Sequence, residues 1–226
     1  MPVEPAATRW VFPDPSEAGP DDVVAIGADL EPGTLLAAYR RGMFPMHLPD
    51  GGPLAWWSPV HRGILPVEAF RVSRSLRRSI RRFEWSVDEA FDDVVAACAD
   101  PDRAHGWITA EIADAYGELH RLGHAHSIEI WEAGRLVGGL YGVNLGGLFA
   151  GESMFHRVPD ASKVALVHLV EIMETTAHTL IDIQWLTDHL ASLGAVEIPR
   201  DDYLRRLPQA LQSPTPSRLE RPMIEG

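Results

Sequence analysis

The sequence of 226 residues contains one cysteine, no long apolar run and no basic leader at its amino terminus. A single cysteine, Cys98, excludes a disulfide framework and fits a reducing compartment. No run approaches the roughly 18 apolar residues that a membrane-spanning helix needs. The opening Met-Pro-Val-Glu-Pro lacks the basic and apolar regions of a signal peptide. These absences predict a cytoplasmic protein that has no membrane segment.

Basic residues are also scarce: the sequence has 20 Lys and Arg residues but 32 Asp and Glu residues, which gives a net charge of -12. This balance argues against general nucleic-acid binding through bulk charge. One segment departs from it and holds Arg71, Arg74, Arg77, Arg78, Arg81 and Arg82 without any acid. After a good N-cap at Ser73, helical spacing puts the last five of these arginines, Arg74 to Arg82, opposite Leu76, Ile80 and Phe83. Because a solvated helix face normally mixes charges of both signs, the segment predicts a phosphate-contacting helix.

Motifs for metals, nucleotides and coenzymes are missing. His124-x-His126 has no Cys or acidic partner at metal-ligand spacing, and no phosphate loop or dinucleotide fingerprint occurs. The helix expected at Ala161 follows His156-Arg-Val-Pro-Asp160, which is not a glycine-rich loop that could bind a pyrophosphate. We therefore predict no metal and no cofactor. An acyl-coenzyme A enzyme is disfavoured but left open.

The stretch from residue 138 to residue 194 organises the rest of the chain. Its predicted elements are paired strands at Val137–Val143 and Gly147–Ser153, a helix at Ala161–His178 and a strand at Thr179–Trp185. Asp182 and Gln184 share one face of the last strand, and Glu152 stands in an equally apolar one. Such polar residues form either a hydrogen-bond network that fixes strand register or a functional site. Three on neighbouring elements favour the site.

A boundary near residue 60 divides the chain into two predicted domains. Residues 1–60 contain a proline-rich start, a short strand at Val23–Ile26 and a helix that Thr34 caps and Gly42 ends. Trp56 and Trp57 near that boundary either pack in a core or form an aromatic wall at a cleft. Residues 61–226 form the larger domain, with a loosely held tail from about residue 213.

Several segments of the chain together point to one family: Ala38-Tyr-Arg-Arg-Gly-Met-Phe-Pro45, Trp56-Trp-Ser-Pro59, Trp107-Ile-Thr109, Gly123-His-Ala-His-Ser-Ile-Glu129, Gly151-Glu-Ser-Met-Phe155, Leu180-Ile-Asp-x-Gln184 and Glu197-Ile-Pro-Arg200. In these segments the sequence resembles the leucyl/phenylalanyl-tRNA–protein transferases of bacteria. The resemblance implies an α+β protein, in which a small N-terminal domain precedes a domain with the acetyltransferase-like (GNAT) fold. It also implies an enzyme that moves leucine or phenylalanine from tRNA to an N-terminal Arg or Lys of a protein, which marks that protein for N-degron proteolysis.

The same resemblance implies roles for individual residues. Asp182 and Gln184 would lie at the reacting centre, while Glu152, Trp107 and Tyr116 would shape the aminoacyl-adenosine and acceptor sites. The side-chain pocket would be lined by Leu140, Phe149, Leu166, Leu169 and Ile181, and the tRNA backbone would be held by Arg74, Arg78 and Arg81.

Two positions depart from the family pattern. Met46 replaces a common tryptophan, so stacking on the terminal adenine would be weaker or would come from Trp56 or Trp57. Ile183 stands where a cysteine is frequent, which excludes thiol chemistry at that position. Strict alternation puts Phe149 and Glu152 on opposite faces of their strand, and a bulge at Gly151 would reconcile them.

The implied reaction is aminolysis of an ester by a protein α-amine, whose pKa of roughly 7.7–8 leaves about a tenth of it neutral at pH 7. An ordinary aspartate, with a pKa of about 3.9, is a poor base for that amine. Asp182 therefore either has a raised pKa and takes the proton, or stays ionised and orients Gln184 and the incoming ammonium. Gln184 can hydrogen-bond the amine or the developing oxyanion. The apolar pocket would also admit methionine, because discrimination is only about 1–3 kcal/mol per methylene.

Two other classes of function stay open at this stage. An acyl-coenzyme A N-acetyltransferase of the same fold would transfer acetyl groups without RNA. A non-catalytic tRNA- or protein-binding module would use Asp182, Gln184 and Glu152 only for stability.

Overall fold

A computed structural model describes residues 2–100 and 106–220 of the chain. Its strands are β1 (Val23–Ile26), β2 (Phe44–His47), β3 (Leu54–Trp57), β4 (His61–Ile64), β5 (Glu84–Val87), β6 (Ala125–Glu132), β7 (Arg135–Leu145), β8 (Leu148–His156), β9 (Leu180–Gln184) and β10 (Val196–Pro199). Its α-helices are α1 (Pro32–Tyr39), α2 (Arg74–Ile80), α3 (Phe91–Cys98), α4 (Ala110–Arg121), α5 (Ala161–Met173), α6 (Asp188–Ser192) and α7 (Arg200–Gln212).

Two sheets account for these strands. A three-stranded antiparallel sheet, in the order β1-β3-β2, belongs to the small N-terminal part. A seven-stranded sheet has the order β10-β4-β9-β8-β7-β6-β5, and β8 and β9 are its parallel pair. The chain passes from the small sheet to the large one between β3 and β4. The mixed α+β class, with a small N-terminal part and a sheet-rich remainder, is therefore confirmed.

The large sheet is covered by helices on both faces. On one face α5 packs with Leu76 of α2 and Leu190 of α6. On the other face α1, α3, α4 and α7 enclose a second apolar cluster with the small sheet. At Gly138 a Cβ atom would lie 2.5 Å from that of Ala161, so only glycine lets α5 approach β7 this closely. No described helix combines the length and apolar character that crossing a membrane requires.

The predicted central unit forms as expected, apart from one helix end. The antiparallel pair β7–β8 and the strand β9 lie where the sequence predicts them. The helix predicted to reach His178 ends at Met173. The hydroxyl of Thr175 donates to the carbonyl of Ile172 at 2.7 Å, and the hydroxyl of Thr179 donates to the carbonyl of Met173 at 2.8 Å. These bonds compete with continuation of the helix.

Helix and tail boundaries in other regions give mixed outcomes. Ser73 caps α2 as predicted, and Gly42, with φ 78°, follows α1. Thr34 as the cap of α1 is wrong, because that helix begins at Pro32. In the described part of the tail that is expected to be loosely held, Leu219 is only 1% exposed, whereas Arg218 and Glu220 are exposed. Its last residues, 221–226, lie outside the described part of the chain.

Candidate active site

An apolar cavity opens where two neighbouring strands of the large sheet separate. β8 and β9 pair only from Leu148–Leu180 to Ala150–Asp182. Beyond these pairs the strands diverge, and a cavity of about 110 Å³ lies between them. Its lining is Leu140, Tyr141, Gly151, Glu152, Ser153, Met154, Leu166, Leu169, Ile181, Ile183, Gln184 and Leu190. The site is therefore a product of sheet geometry and needs no dedicated loop.

Four of the five residues predicted for the side-chain pocket line this cavity: Leu140, Leu166, Leu169 and Ile181. Phe149 is not among the residues that line it, and its role in the pocket stays a prediction. Its ring is fully buried beneath Gly142, where a Cβ atom would lie 2.5 Å from the ring. The size of the cavity fits one hydrophobic side chain, because an apolar cavity of about 150 Å³ can hold benzene.

Glu152 reaches the cavity through a bulge in β8. Tyr141 pairs with Ser153, and the next residue of β7, Gly142, pairs with Gly151, so Glu152 is the extra residue. The bulge predicted at Gly151 is thus present, one residue further along. An extra residue re-aims its side chain away from the regular alternation of the strand. This irregularity brings a carboxylate to an otherwise apolar cavity.

Two tyrosines and one amide donate to the buried carboxylate of Glu152. Oε1 accepts from Tyr39 at 2.7 Å, and Oε2 accepts from Tyr116 at 2.9 Å and from Gln184 Nε2 at 3.2 Å. The oxygens of the two tyrosine hydroxyls are also in contact with each other. Because each hydroxyl carries a single hydrogen, this contact is a third hydrogen bond only when Glu152 is protonated and donates to one of the tyrosines. Burial raises the pKa of Glu152 to about 7, and the charge of Asp182 adds to the rise, while the three donors oppose it. Near neutral pH this group is divided between its acid and its base forms.

Gln184 lies at the other wall of the cavity, at the end of β9. Its φ of 66° is in the left-handed region, which non-glycine residues seldom adopt. The backbone N–H of Gln184 donates to Asp182 Oδ1 at 2.9 Å, while its side chain donates to Glu152. A costly backbone conformation persists only where the surroundings hold it in place. Asp182 supplies one of those restraints.

Asp182 is fully buried but does not line the cavity. Its Oδ1 accepts from Arg62 Nε at 2.9 Å and from the N–H of Gln184. Its Oδ2 accepts from Arg62 Nη2 at 2.5 Å and from Tyr203 Oη at 2.8 Å. A carboxylate has about four acceptor positions, and all of those on Asp182 are occupied.

Arg62 is the partner that sequence reasoning missed. Its guanidinium is 1% exposed and lies between the rings of Phe44 and Tyr203, at 4.8 and 4.4 Å. Nη1 donates to the carbonyl of Gly42 at 3.1 Å. Burial opposes the charge, but the adjacent Asp182 holds the pKa of Arg62 above its ordinary value. The local sequence, His-Arg-Gly-Ile in a short strand, carries no signal of this role, which arises only from tertiary contacts.

The predicted aromatic residues are distributed around the site and do not line it. Tyr116 is buried and reaches Glu152, whereas Trp107 is half-buried against the core. Trp57 donates from Nε1 to the carbonyl of Met46 at 2.8 Å and meets Trp185 edge-on at 5.7 Å. Because Trp185 directly follows Gln184, this aromatic pair lies next to the end of β9. Trp56 is fully buried and packs in the core.

The arginines of α2 form an exposed basic surface. Arg74, Arg78 and Arg81 are exposed, and none of them pairs with a carboxylate in the described part of the chain. Arg82, beyond the end of the helix, pairs with Glu132 at 2.5 Å. No group of three or more metal-ligating side chains is found among residues 2–100 and 106–220.

The fold and the site define a class of protein: an α+β chain whose central sheet splits around a single-side-chain cavity that ends in a carboxylate and an amide. Comparison with known families agrees with this description. The model of the leucyl/phenylalanyl-tRNA protein transferase family matches residues 64–208, and the model of its N-terminal domain matches residues 28–60. The chain belongs to this family.

Relatives with the name leucyl/phenylalanyl-tRNA–protein transferase match most of the chain. The protein of Nitratidesulfovibrio vulgaris (strain DP4) is 50% identical over 210 residues, which cover 91% of this chain and 89% of that one. The protein of Anaeromyxobacter sp. (strain K) is 50% identical over 220 residues, which cover 95% and 92%. The protein of Aromatoleum aromaticum is 53% identical over 200 residues, which cover 86% and 84%.

Proposed function

We propose that this protein transfers leucine or phenylalanine from aminoacyl-tRNA to the N-terminal Arg or Lys of acceptor proteins and so marks them for degradation. The observation that carries the proposal is the cavity of about 110 Å³, which joins an apolar lining to Glu152 and Gln184. An aminoacyl ester has matching parts, namely one side chain and, beside it, the carbonyl that an amine attacks. The family named above is the second support.

The apolar lining selects the transferred side chain by size and polarity. Leu140, Leu166, Leu169 and Ile181 offer no hydrogen-bond partner, so polar and charged side chains would lose their hydration without compensation. Discrimination among apolar side chains rests on only about 1–3 kcal/mol per methylene. Methionine is therefore a minor substrate in the proposal.

Glu152 is the proton acceptor in the proposed mechanism. Three of its roughly four acceptor positions are occupied, which leaves one on Oε1 that faces no described donor. Its pKa of about 7 lies close to that of an α-amine, about 7.7–8, which is the match that general-base catalysis needs. When the amine attacks the ester carbon, its proton passes to Glu152. As the C–O bond breaks, the ribose oxygen keeps the electron pair of that bond and takes the proton from Glu152, which returns to its ionised form.

Gln184 and Asp182 hold the reacting groups in position. The second N–H of the Gln184 amide is the donor proposed for the oxyanion that develops on the ester carbonyl. Asp182 acts through the backbone of Gln184, because each of its acceptor positions already receives a donor. Of the two roles that the sequence leaves open for Asp182, the orienting one is the role we propose.

A transfer assay tests the proposed function. Incubation with charged leucyl-tRNA and a peptide that begins with arginine should give a peptide that begins with leucine, and a peptide that begins with glutamate should stay unmodified. Acetylation of the same peptide by acetyl-coenzyme A, without any transfer from tRNA, would contradict the proposal and favour an N-acetyltransferase. Failure of both reactions would favour a non-catalytic binding module.

Charge reversal on α2 tests the proposed tRNA surface. Arg74→Glu, Arg78→Glu and Arg81→Glu together should lower kcat/KM for phenylalanyl-tRNA by roughly 100-fold at low salt, because each arginine contacts the phosphate backbone without reading sequence. Transfer from phenylalanyl-adenosine, which has no phosphate, should be spared. A matched control reverses three exposed arginines outside this surface: Arg121, Arg135 and Arg206. Equal loss on both substrates, or equal loss in the control, would count against the assignment.

The finer description of the fold is also a proposal. We propose a domain boundary near residue 60 and a GNAT-type arrangement for residues 61–226, with a tail from about residue 213. The change of sheet between β3 and β4 supports the boundary, and the single parallel pair that separates around the cavity supports the arrangement. A cytoplasmic location is proposed on the basis of the single cysteine.

A further inference from the structure

A second depression, separate from the cavity, lies on the surface beside it. This groove, of about 620 Å³, runs between the start of α2, the start of α5 and the end of α6. Its lining is Arg71, Val72, Ser73, Ser75, Leu76, Asp160, Lys163, Ser192 and Leu193. Two cations, Arg71 and Lys163, are its donors for an anionic ligand, in a protein whose net charge is -12. The hydroxyl of Ser192 already donates to the carbonyl of His189, and those of Ser73 and Ser75 hydrogen-bond each other.

Lys163 is the only lysine in the sequence, and the other 19 of its 20 basic residues are arginines. Its ammonium bonds Asp160 Oδ1 at 3.0 Å, and Asp160 Oδ2 accepts from the hydroxyl of Ser79 at 2.9 Å. The carboxylate of Asp160 therefore accepts from two donors and holds the ammonium of Lys163 at the groove. About a third of the Lys163 side chain is exposed. Two of the three ammonium hydrogens are left for a ligand.

The opposite wall of the groove is fixed by backbone contacts. The N–H of Arg71 donates to the carbonyl of Leu193 at 2.8 Å. Next to it, a Cβ atom on Gly194 would lie 2.1 Å from the carbonyl oxygen of Ala69, so the two segments approach closely only because residue 194 is glycine. The side chain of Arg71 is exposed and pairs with no carboxylate in the described residues.

The groove connects the cavity to the arginines of α2. Leu166 lines the cavity three residues after Lys163, which is about one turn of α5. Leu190 of α6 likewise lines the cavity, while Ser192 lines the groove. Arg71 then leads to the exposed face of Arg74. The groove therefore lies between the parts of α5 and α6 that line the cavity and the arginines that follow Ser73.

We propose that the groove binds the phosphodiester linkages of the single-stranded 3′ end of aminoacyl-tRNA, between the terminal nucleoside and the arginines of α2. The proposal rests on the proposed function and adds a binding site to it. Lys163 contacts one phosphate as a point charge, and Arg71 offers a planar fork to a phosphate further from the cavity.

Three substrates of increasing length test the site: phenylalanyl-adenosine, the trinucleotide cytidine-cytidine-adenosine charged with phenylalanine, and phenylalanyl-tRNA. Lys163→Gln and Arg71→Gln should each lower kcat/KM about tenfold for the two substrates that carry phosphates, and the loss should not extend to the adenosine ester. Lys163→Arg should restore part of the activity. Arg206→Gln, an exposed arginine of α7 outside the groove, is the control.

Salt dependence separates phosphate binding from a structural role. Each phosphate contact on a single strand adds about -0.7 to the slope of log affinity against log salt, so Lys163→Gln should flatten that slope for the trinucleotide by about 0.7. The uncharged trinucleotide should also protect Lys163 from an amine-reactive reagent.

Undiminished use of the charged trinucleotide by both variants would overturn the proposal, and so would equal losses on all three substrates. If the wild-type protein uses none of the three, the proposed function fails. If only the groove proposal is wrong, the wild-type protein still transfers phenylalanine, so the two failures can be told apart.

Discussion

Replacing Arg62 with methionine is expected to lower the free energy of unfolding by about 3–5 kcal/mol, because it leaves the fully buried carboxylate of Asp182 without its ion-pair partner. Loss of the guanidinium also empties the space between the rings of Phe44 and Tyr203. Transfer activity should fall with stability, because Asp182 then no longer restrains the backbone of Gln184. Urea denaturation and kcat of the variant that remains folded are the measurements.

The double variant Arg62→Met with Asp182→Asn is the matched control. Asparagine is uncharged, so it removes the cost of an unpaired buried charge. Its single side-chain oxygen can still accept from the N–H of Gln184, and its amide nitrogen can donate to the hydroxyl oxygen of Tyr203. The double variant should therefore be more stable than Arg62→Met alone. An Arg62→Met protein as stable as the wild type would contradict the role of this ion pair.

Glu152→Gln is expected to lower kcat for transfer by about 10²–10⁴-fold, the usual contribution of a general base. The ionised carboxylate is the active form, so the wild-type rate should rise as the pH increases through about 7. The variant should lose that rise and retain only the titration of the acceptor amine, near pH 7.7–8. The pH–rate profile of both proteins is the measurement.

Glu129→Gln provides a matched control for the loss of a buried carboxylate. Glu129 is fully buried and accepts from the hydroxyl of Ser86 at 2.6 Å, but it does not line the cavity. Its amide variant should keep the wild-type pH–rate profile. A profile unchanged in Glu152→Gln, or altered equally in both variants, would count against Glu152 as the proton acceptor.

Stability gives a second readout for Glu152. Its pKa in the folded protein, about 7, exceeds the value of 4.5 expected for an unperturbed glutamate, so the fold favours the protonated form. Its contribution is fully present below about pH 4.5 and is lost as the pH rises through about 7, a difference of roughly 3 kcal/mol. Glutamine does not titrate, so Glu152→Gln should lose this part of the pH dependence of unfolding.

The sequence predicts much of the local structure around the site. The hairpin β7–β8, the start of α5 and the strand β9 follow from apolar periodicity and turn residues. The three polar residues Glu152, Asp182 and Gln184 are conspicuous because their strands are otherwise apolar, and the structure brings them into one hydrogen-bond network. The local sequence is informative here because the periodicity of apolar residues in these strands and helices agrees with which residues are buried.

The remaining parts of the site depend on distant segments, which local patterns do not relate to one another. Tyr39 lies in an ordinary apolar helix, yet its hydroxyl reaches Glu152, a residue 113 positions away. Arg62 meets Asp182 across 120 positions, and nothing near it in the sequence indicates burial. The separation of β8 from β9 is likewise a property of the whole sheet, which no local pattern indicates.

The small N-terminal part supports the proposed reaction centre from outside the large sheet. The hydroxyl of Tyr39 donates to Glu152, and the carbonyl of Gly42 accepts from the guanidinium of Arg62. The ring of Phe44 packs against the same guanidinium. A fragment that begins at His61 would keep Glu152 and every group that contacts Asp182, and would still lack these three supports. A chimera that exchanges the N-terminal part between relatives therefore has to inherit these contacts together, and a transplanted large sheet alone is an incomplete enzyme.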